Sequence, residues 1–484
     1  MNNRQRKHNS SNYRYNIDES SSSRHLIPSN IIDESPEYST TVEYDDPLIK
    51  SFQRFQKKIT RGSMFNSTIT LISFSPTSII LLSRFAFLQT GILYGVIMYS
   101  TLLIASLFSM YLLIKILSKT HSDNYHVLFK EHVKSKYVSF IFYFTLFVYF
   151  IVLNCIYFYS NIRLIINTLS AFNYGNEKDI TIICILVILF FVIQLPSILI
   201  KQFNVAQTVS ISLLFLIIIS TIMVVGEMLL FQEFNSTISF MPQFHINFSY
   251  AICIFAMLSL NHINLPIEVK EMNLYTYKRG KTLIERVVIY EWILYTIYSI
   301  ASYLLDNSYN KIDDNDLEIV VIITNHKEWS NFPMVLIQIL IILLNSYKIG
   351  YNTNYMYDNL LYDISDDNII KKSQNILNII TVIICGIAAF HTKEKYILIA
   401  IGICGGFCAY LICYLIPIYI YKRVFDMVES DGEFSEIKAQ INEMSSVKHR
   451  KQLDWINPIV LILMFCVLFF GGAGCVYSVF NMTL

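Results

Sequence analysis

The stretch TIICILVILFFVI at residues 181–193 contains no charged residue, and neither does ISLLFLIIISTIMVV at residues 211–225. Runs of this kind recur along a chain of 484 residues that is 54% hydrophobic and only 15% charged, with a mean hydropathy of +0.47. Soluble domains carry about 25% charged residues. The composition therefore argues against an ordinary soluble protein and predicts an all-α polytopic membrane protein.

The apolar runs predict eleven transmembrane helices. Each run is long enough to cross about 30 Å of hydrocarbon at a rise of about 1.5 Å per residue. Together they form a transmembrane domain over residues 63–480. The predicted spans are residues 64–84, 91–117, 137–162, 180–200, 205–231, 248–272, 284–305, 332–357, 374–391, 396–421 and 456–480.

Residues 1–62 are polar and hold too little apolar surface to offset the entropy of ordering, so they predict a disordered tail. Lysine and arginine concentrate in this tail and in alternate loops, which places the N-terminus in the cytosol. The sequon at Asn235 falls in a loop on the other side of the membrane. The basic residues in the loops of that side are Arg84, Arg163, Lys178, Lys311, Lys327, Lys393 and Lys395.

Charge and cysteine content argue against several classes of function. A formal net charge of +1 predicts no nucleic-acid partner, and the lipid bilayer is the expected partner. The nine cysteines lie in apolar stretches without CxxC or histidine-linked spacing, so we expect no metal site and no cofactor. Abundant Ile, Asn, Tyr and Phe beside scarce Gly and Pro are typical of an AT-rich genome, as in some protozoan parasites.

Two predicted spans contain interruptions. In the first, Ser75–Ser78 (SPTS) interrupts the apolar run, and its proline lacks a backbone donor. In the sixth, the apolar run 250–260 covers about half a bilayer before the polar residues 261–264 and Pro266. Non-helical backbone at membrane depth is tolerated where protein or a water-filled cavity satisfies its polar groups. The alternative is that each proline marks a simple kink supported by neighbouring helices.

The two interrupted spans are five spans apart, which is the relation between discontinuous helices in inverted five-helix repeats. In such repeats the substrate binds between these helices near the midplane, and free helix termini face its charged groups. The spacing predicts repeats at about residues 64–231 and 248–421, with an extra helix at about 456–480. The predicted substrate-binding residues are Ser75, Thr77, Ser78, Asn261, His262 and Asn264, with Pro76 and Pro266 at the helix breaks.

Residues 62–480 resemble the eukaryotic amino acid/auxin permease family. LPSILIK at residues 195–201 is similar to the family's LPLSLLK stretch between spans four and five. The other similarities lie in spans six, seven and ten, in the same order as in the family. In span six, Phe255-Ala256 with Leu265-Pro266-Ile267, Glu268 and Glu271 resembles the family's FAF-CH-LPIY-E signature. In span seven, Ser302-Tyr303 stands where the family has the GY of GYLTF. In span ten, Gly402 with Ile416-Pro417 resembles the family's G-to-LP spacing.

The resemblance implies a secondary amino acid transporter of eleven helices, with a LeuT-like 5+5 inverted repeat plus one. Span one departs from the family pattern, which has a Gly-x-Gly break followed by a Leu-Pro pair, then an alanine and a glycine. Ala86 and Gly91 match, but Ser75–Ser78 occupies the glycine region and Arg84 stands near the usual proline. Glycines there let backbone amides approach a substrate carboxylate, so the family's carboxylate site does not carry over residue by residue.

Ionisable residues at membrane depth are functional candidates. Lys348 lies mid-span in LNSYK at residues 344–348, and in transporters of this fold span eight faces the break in span one, where sodium-coupled relatives bind their ion. An ammonium there could replace the cation permanently, or could release its proton and couple transport to a proton gradient. The alternative is a structural pair between Lys348 and a carboxylate such as Glu291. The predicted coupling residues are Lys348, Glu291, Asn345 and Ser346.

Together these patterns predict a secondary active transporter that moves amino acids or related small cationic or zwitterionic metabolites by alternating access. The chain has no GxxxxGK[ST] loop for ATP, so a gradient must drive transport. A non-transporting amino acid sensor of the same fold is the alternative function. No acid–base pair or histidine cluster supports an enzyme. The plasma membrane and a vacuolar, lysosome-like membrane both fit.

Overall fold

A computed structural model describes residues 62–74, 79–120, 122, 124–133, 135–171, 178–199, 203–231, 240, 248–272, 276–309, 332–360, 368–392, 394–430, 471–474 and 477. Within these residues every regular element is a helix and no strand is present. Eight of these helices are long and apolar enough to cross a membrane, and two further apolar helices are shorter, Met64–Phe74 and Phe248–Leu258. The chain is therefore an all-α polytopic membrane protein, which confirms the prediction from composition.

The described helices overlap the first ten predicted spans, except α3, which lies between the second and the third. They are α1 (Met64–Phe74), α2 (Ile80–Thr120), α3 (Tyr125–His132), α4 (Lys136–Ala171), α5 (Lys178–Leu189), α6 (Leu195–Leu199), α7 (Phe203–Phe231), α8 (Phe248–Leu258), α9 (Leu265–Glu271), α10 (Tyr277–Tyr309), α11 (Phe332–Leu360), α12 (Asn368–His391), α13 (Glu394–Ile401) and α14 (Ile416–Ser430). Turns of π-helix join α5 to α6 at Phe190–Gln194 and α13 to α14 at Gly402–Cys408 and Leu411–Leu415. Almost all of the predicted tail (1–62) and of the predicted last span (456–480) lies outside the described residues.

Gly91 divides α2 into two helices. The 41 residues of α2 would extend about 60 Å as one straight helix, twice the thickness of the hydrocarbon core. Gly91 has φ 67° and ψ 178°, a conformation that glycine adopts readily and other residues rarely do. A Cβ atom on Gly95 would lie 3.0 Å from the ring of Phe87, although eight residues of straight helix span about 12 Å. The chain therefore bends at Gly91, where the sequence places the start of the second span.

The long helices pack in two groups. In the first, α10 packs against α1 and α2, and α2 also packs against α8. In the second, α4 packs against α11 and α12, and α11 packs against α6 and α12. Helix α7 lies between the groups, because it contacts α1 and α10 on one side and α11 on the other. The short helix α9 contacts α1, so the second half of the sixth predicted span packs against the first half of the first.

A ladder of polar side chains joins α4 to α11. Within the hydrocarbon core such hydrogen bonds hold helices together, since the alternative is an unsatisfied polar group. The α4 partners are seven residues apart, about two helical turns, and therefore lie on one face. The bonds join Asn154 Nδ2 to Thr353 Oγ1 (2.9 Å), Asn161 Nδ2 to Ser346 Oγ (3.2 Å) and Thr168 Oγ1 to Gln338 Oε1 (3.1 Å).

Candidate functional site

The sixth predicted span is a discontinuous helix. Helix α8 ends at Leu258 and α9 begins at Leu265, with non-helical residues 259–264 between them. Pro266 lies in the first turn of α9, where the backbone N–H that proline lacks would have no partner inside the helix. The proline therefore begins a new helix after a break, and the reading of Pro266 as a kink within one continuous helix does not hold.

Side chains satisfy the backbone at the end of α8. The hydroxyl of Ser106, on α2, donates to the carbonyl oxygen of Ser259 at 2.8 Å, and the Ser259 hydroxyl donates to the carbonyl oxygen of Ala256 at 2.9 Å. The Ala256 carbonyl is among the last four of α8, which lack a partner inside the helix, and the Ser259 carbonyl follows the helix and also accepts from the backbone N–H of Asn261 at 3.2 Å. Both serines are buried. The break is thus built into the packing of α2 against α8.

Asn261, in the break, bonds to Glu291 on α10. Its Nδ2 atom lies 2.9 Å from Oε1 and 2.9 Å from Oε2 of the glutamate. Asn261 is 1% exposed and Glu291 is fully buried. A carboxylate at this depth is expensive unless hydrogen bonds stabilise it. The pair therefore connects a predicted substrate-binding residue to a predicted coupling residue.

His262 is also fully buried in the break. Among the residues that the structure describes, neither of its ring nitrogens has a hydrogen-bond partner, and the same holds for Oδ1 of Asn261. The rings of His262 and Tyr414 lie 6.4 Å apart. Buried polar atoms are normally paired with protein or with ordered water. Neither His262 nor Asn261 contributes to the wall of the cavity between α1, α4 and α11, so their role in substrate binding stays a prediction.

Lys348, on α11, bonds to the end of α1. Its Nζ atom donates to the carbonyl oxygen of Ser73 at 2.8 Å, and the lysine is buried. Ser73 lies in the last turn of α1, whose unpaired carbonyls and dipole attract a cation. The predicted residues Ser75, Pro76, Thr77 and Ser78 follow immediately and lie outside the described residues. Lys348 thus contacts the helix end that leads into the predicted first break.

Asn345 and Ser346 lie on α11 close to Lys348 in sequence but take part in the ladder to α4. Nδ2 of Asn345 donates to Oδ1 of Asn161 at 3.3 Å, and Nδ2 of Asn161 donates to the Ser346 hydroxyl. All three residues are fully buried. These bonds show that Asn345 and Ser346 help to hold α11 against α4. Their role in coupling stays a prediction.

A small cavity lies where these elements meet. Its volume is about 30 Å³, which is room for about two water molecules. The sixth-span break, the end of α1, α4 and α11 all contribute to its wall. The lining residues are Leu260, Ile263 and Asn264 from the break, Phe74 from α1, Tyr149, Phe150, Leu153 and Tyr157 from α4, and Lys348, Tyr351, Asn352 and Tyr355 from α11.

The aromatic wall of this cavity was not predicted, yet its α11 part has a sequence signal. Lys348, Tyr351, Asn352 and Tyr355 are spaced i, i+3, i+4 and i+7, which places them on one face of a helix. Once Lys348 is a candidate, the residues on its face are candidates too. The rings form a contiguous surface, since Phe74 and Tyr351 lie 6.1 Å apart and Tyr351 and Tyr355 6.4 Å apart.

Within the described ranges, no group of three or more His, Cys, Asp or Glu residues is placed to hold a metal ion. Comparison of the chain with models of known protein families gives no match, and comparison with characterised protein sequences gives none either. The geometry of the site and the pattern of the sequence are therefore the grounds on which a function is proposed.

Proposed function

We propose that this protein is a secondary active transporter of amino acids or related small metabolites, working by alternating access. One observation carries the proposal: a single cavity is lined by the break between α8 and α9, by the end of α1 and by the buried Lys348. Transporter sites lie near the bilayer midplane at discontinuous helices, where helix ends and unwound backbone face the substrate. A break in a lipid-facing helix would leave backbone polar groups without hydrogen-bond partners in the hydrocarbon.

The proposal includes eleven spans in a LeuT-like 5+5 inverted repeat plus one, in a protein of the amino acid/auxin permease type. Two features support the repeat. The discontinuous α8–α9 pair contacts α1, which ends where the first repeat's break is predicted. Helices α1, α2, α8 and α10, corresponding to spans one, two, six and seven, pack together, as do α4, α11 and α12. An inverted repeat brings equivalent spans of the two halves together in this way.

The size of the cavity supports a closed conformation. Sites for small organic molecules occupy about 300–1,000 Å³, roughly ten times the volume found here. An amino acid could enter only if α1, α9 or the aromatic side chains moved. Opening and closing of such gates on either side of a fixed site is the essence of alternating access.

The charges around the cavity favour a substrate that carries a carboxylate. Lys348 brings an ammonium into the wall, and a second cation within about 4 Å of it would be repelled by about 4 kcal/mol at an effective dielectric constant near 20. A zwitterionic amino acid could place its carboxylate towards Lys348 and its side chain against the tyrosine rings. Zwitterions are therefore better candidates than simple cations.

The decisive experiment is uptake by proteoliposomes that contain the purified protein, using a panel of labelled amino acids with and without imposed sodium or proton gradients. We expect accumulation of at least one zwitterionic amino acid, and counterflow when the vesicles are preloaded. Binding without counterflow would instead indicate a non-transporting sensor, and neither binding nor flux with any amino acid would contradict both. A cysteine at Asn264, which lines the cavity, should be protected from thiol reagents by the substrate, whereas one at the lipid-exposed Ile222 should not.

The proposal places the protein in the plasma membrane or in a vacuolar, lysosome-like membrane, with the N-terminus in the cytosol. The bias of lysine and arginine towards one set of loops supports this orientation. A small-molecule substrate and the bilayer are the proposed partners, with possible use of a proton gradient, and no cofactor, nucleic acid or enzymatic activity is part of the proposal.

A further inference from the structure

Helices α2 and α10 pack antiparallel and are joined along their length by hydrogen bonds between side chains. The bonds join Ser299 Oγ to Ser83 Oγ (2.6 Å), Trp292 Nε1 to Ser100 Oγ (2.9 Å) and the Tyr111 hydroxyl to Oε1 of Glu285 (2.8 Å). Each step forward along α2 is thus a step back along α10. The end of α2 and the start of α10 therefore lie on the same side of the membrane.

Both helices expose an apolar stripe beside this contact. Within each stripe the residues are four or seven apart, and therefore lie on one face of the helix. Exposed apolar patches of this kind on membrane-spanning helices face lipid. The stripe residues, each 42–54% exposed, are Ile97, Ile104 and Phe108 on α2 and Ile289, Ile293 and Ile297 on α10. We call the surface formed by the two stripes the α2–α10 seam.

The seam ends in basic residues on the side where α2 ends and α10 begins. On α2, Lys115 and Lys119 follow Phe108 by seven and eleven residues and so continue its stripe. On α10, Lys278 and Arg286 lie eight residues apart on the face of the isoleucine stripe. Lys119, Lys278 and Arg286 are exposed, whereas Lys115 is half-buried and donates to the Tyr421 hydroxyl on α14 at 3.0 Å. Three exposed cations therefore stand where the two lipid-facing stripes end.

Positive charge is in excess at this end of the seam. Residues 111–119 and 277–286 together contain six basic residues and one acidic residue, Glu285. Glu285 accepts the hydrogen bond from Tyr111 and also pairs with Lys281 at 3.8 Å, and the Lys281 ammonium lies 5.4 Å from the centre of the Tyr111 ring. The carboxylate is thus paired at the contact between the two helices, and the charges on the lipid-facing side exceed it.

We propose that an anionic phospholipid binds at the α2–α10 seam, with its phosphate on Lys119, Lys278 and Arg286 and its acyl chains over the apolar stripes. Eleven residues separate Lys119 from Phe108, and eleven separate Arg286 from Ile297. Eleven helical residues span about 16 Å, and one leaflet contributes about 15 Å of hydrocarbon. A lipid whose headgroup lies at these cations therefore has its chains along both stripes.

The charge of the seam favours an anionic lipid over a zwitterionic one. Phosphatidylcholine brings its own cation beside its phosphate, so its net attraction to a cluster of basic residues is small. Phosphatidylserine and phosphoinositides carry net negative charge and are attracted to basic residues at the membrane surface. The proposed orientation of the chain also places this end of the seam in the cytosolic leaflet, where these lipids are concentrated.

Photolabelling tests the proposal on the full-length protein in phosphatidylcholine proteoliposomes. Phosphatidylserine that carries a photoactivatable group on an acyl chain should label peptides from the stripes of α2 and α10. Excess unlabelled phosphatidylserine should compete with this labelling, and the same excess of phosphatidylcholine should compete at least about fivefold less well. Equal competition by the two lipids would overturn the proposal and show that bulk lipid covers the seam.

Two exposed cations provide a matched pair of variants. Arg286→Gln removes one charge from the seam and should lower labelling about fivefold, and adding Lys278→Gln should lower it about fivefold again. Arg286→Lys keeps the charge and should retain most labelling. Lys136→Gln removes an exposed charge at the start of α4, which packs against α11 and α12, and should leave labelling unchanged. Equal labelling of Arg286→Gln and Lys136→Gln would contradict the proposal.

An acidic segment of the chain itself is the other possible occupant. Residues 33–46 contain six acidic residues and no basic residue. A carbodiimide joins an amine to a carboxylate that touches it, so a crosslink from Lys278 to this segment that excess phosphatidylserine does not reduce would overturn the proposal. We expect no such crosslink. Because the readouts are labelling and crosslinking and not uptake, either result leaves the proposed transport function to its own test.

Discussion

The Nζ atom of Lys348 donates a 2.8 Å hydrogen bond to the carbonyl oxygen of Ser73, 275 residues earlier in the chain. The bond joins the middle of α11 to the last turn of α1, and so places a positive charge at the negative end of a helix dipole inside the membrane. A metal cation bound at a helix end in a transporter makes the same kind of contact with backbone carbonyls. The ammonium can therefore hold α1 in place without an ion.

The first prediction concerns sodium and Lys348. Because a cation added within about 4 Å of the ammonium would be repelled by about 4 kcal/mol at an effective dielectric constant near 20, uptake should be unchanged when choline replaces sodium. Lys348→Ala removes the contact with Ser73 and should abolish most uptake while the protein still reaches its membrane. Lys348→Arg should be partly active, since the guanidinium keeps the charge but does not release a proton.

Lys281→Ala is the matched control for this test, because Lys281 is about half exposed and pairs with Glu285 at the surface. It should retain full uptake, as surface pairs contribute little. Strong sodium dependence of the wild type would contradict the role assigned to the ammonium. Full activity of Lys348→Ala would return Lys348 to a purely structural role.

The second prediction concerns the pair of Asn261 and Glu291. Asn261→Asp places two carboxylates about 2.9 Å apart, a repulsion of about 6 kcal/mol at an effective dielectric constant near 20, and should lower both the unfolding temperature and uptake. Adding Glu291→Gln to this variant restores an amide opposite a carboxylate and should recover much of the stability. Thermal unfolding in detergent measures the effect. Glu285→Gln on α10 keeps an oxygen that can accept the 2.8 Å hydrogen bond from the Tyr111 hydroxyl and should change little. A double variant no more stable than Asn261→Asp would argue against the pair.

Much of this arrangement could be predicted from residues that break a local rule. Pro266 after a polar run, and Gly91 between two apolar runs, each mark a place where a helix must end, and the structure has a helix boundary or bend at both. Lys348 is conspicuous because a charge in an apolar run needs a partner. These signals are local, so the sequence displays them directly.

The partners of these residues could not be predicted in the same way. Lys348 bonds to a backbone carbonyl of Ser73, and every residue type offers that group. The π-helical turn at Phe190–Gln194 lies in an apolar run that is equally compatible with a regular α-helix, so nothing in its composition predicts the turn. Such contacts depend on how distant helices pack, which periodicity does not specify.

The third prediction concerns the polar ladder between α4 and α11. A double-mutant cycle on Asn154→Ala and Thr353→Ala should give a coupling free energy of about 0.6 kcal/mol, the average for hydrogen bonds between membrane helices. Asn161→Ala leaves Asn345 and Ser346 without their α4 partner and should destabilise the protein more than either of those single changes. Unfolding in a denaturing detergent measures both. Additive effects of the first pair would show that the bond contributes nothing to stability.

The fourth prediction concerns orientation. Because basic residues favour the loops assigned to the cytosol, an epitope tag inserted after Asn235 should be accessible from outside the cell or from the lumen. A tag in the N-terminal tail should be accessible to an antibody in the cytosol, and to an antibody added outside the cell only after the membrane is permeabilised. The reverse pattern of labelling would contradict the proposed topology and place the N-terminus outside the cytosol.

The fifth prediction compares two glycines. A Cβ atom at Gly405 would fall 2.8 Å from Cα of Cys253 and closer still to the Cys253 carbonyl, whereas a Cβ atom at Gly226 on α7 would meet no atom of the described residues within 4 Å. Relief of this clash would require the backbone at Gly405 or at Cys253 to move. Cys253 lies on α8, so its movement would also displace the break at Asn261. Gly405→Ala should therefore destabilise the protein by about 1–3 kcal/mol or more and reduce uptake by shifting α8. Gly226→Ala should leave the unfolding temperature and uptake unchanged or slightly raised, since alanine favours helix. If the two variants behave alike in thermal unfolding and in uptake, the close packing of α8 against Gly402–Cys408 does not position the site.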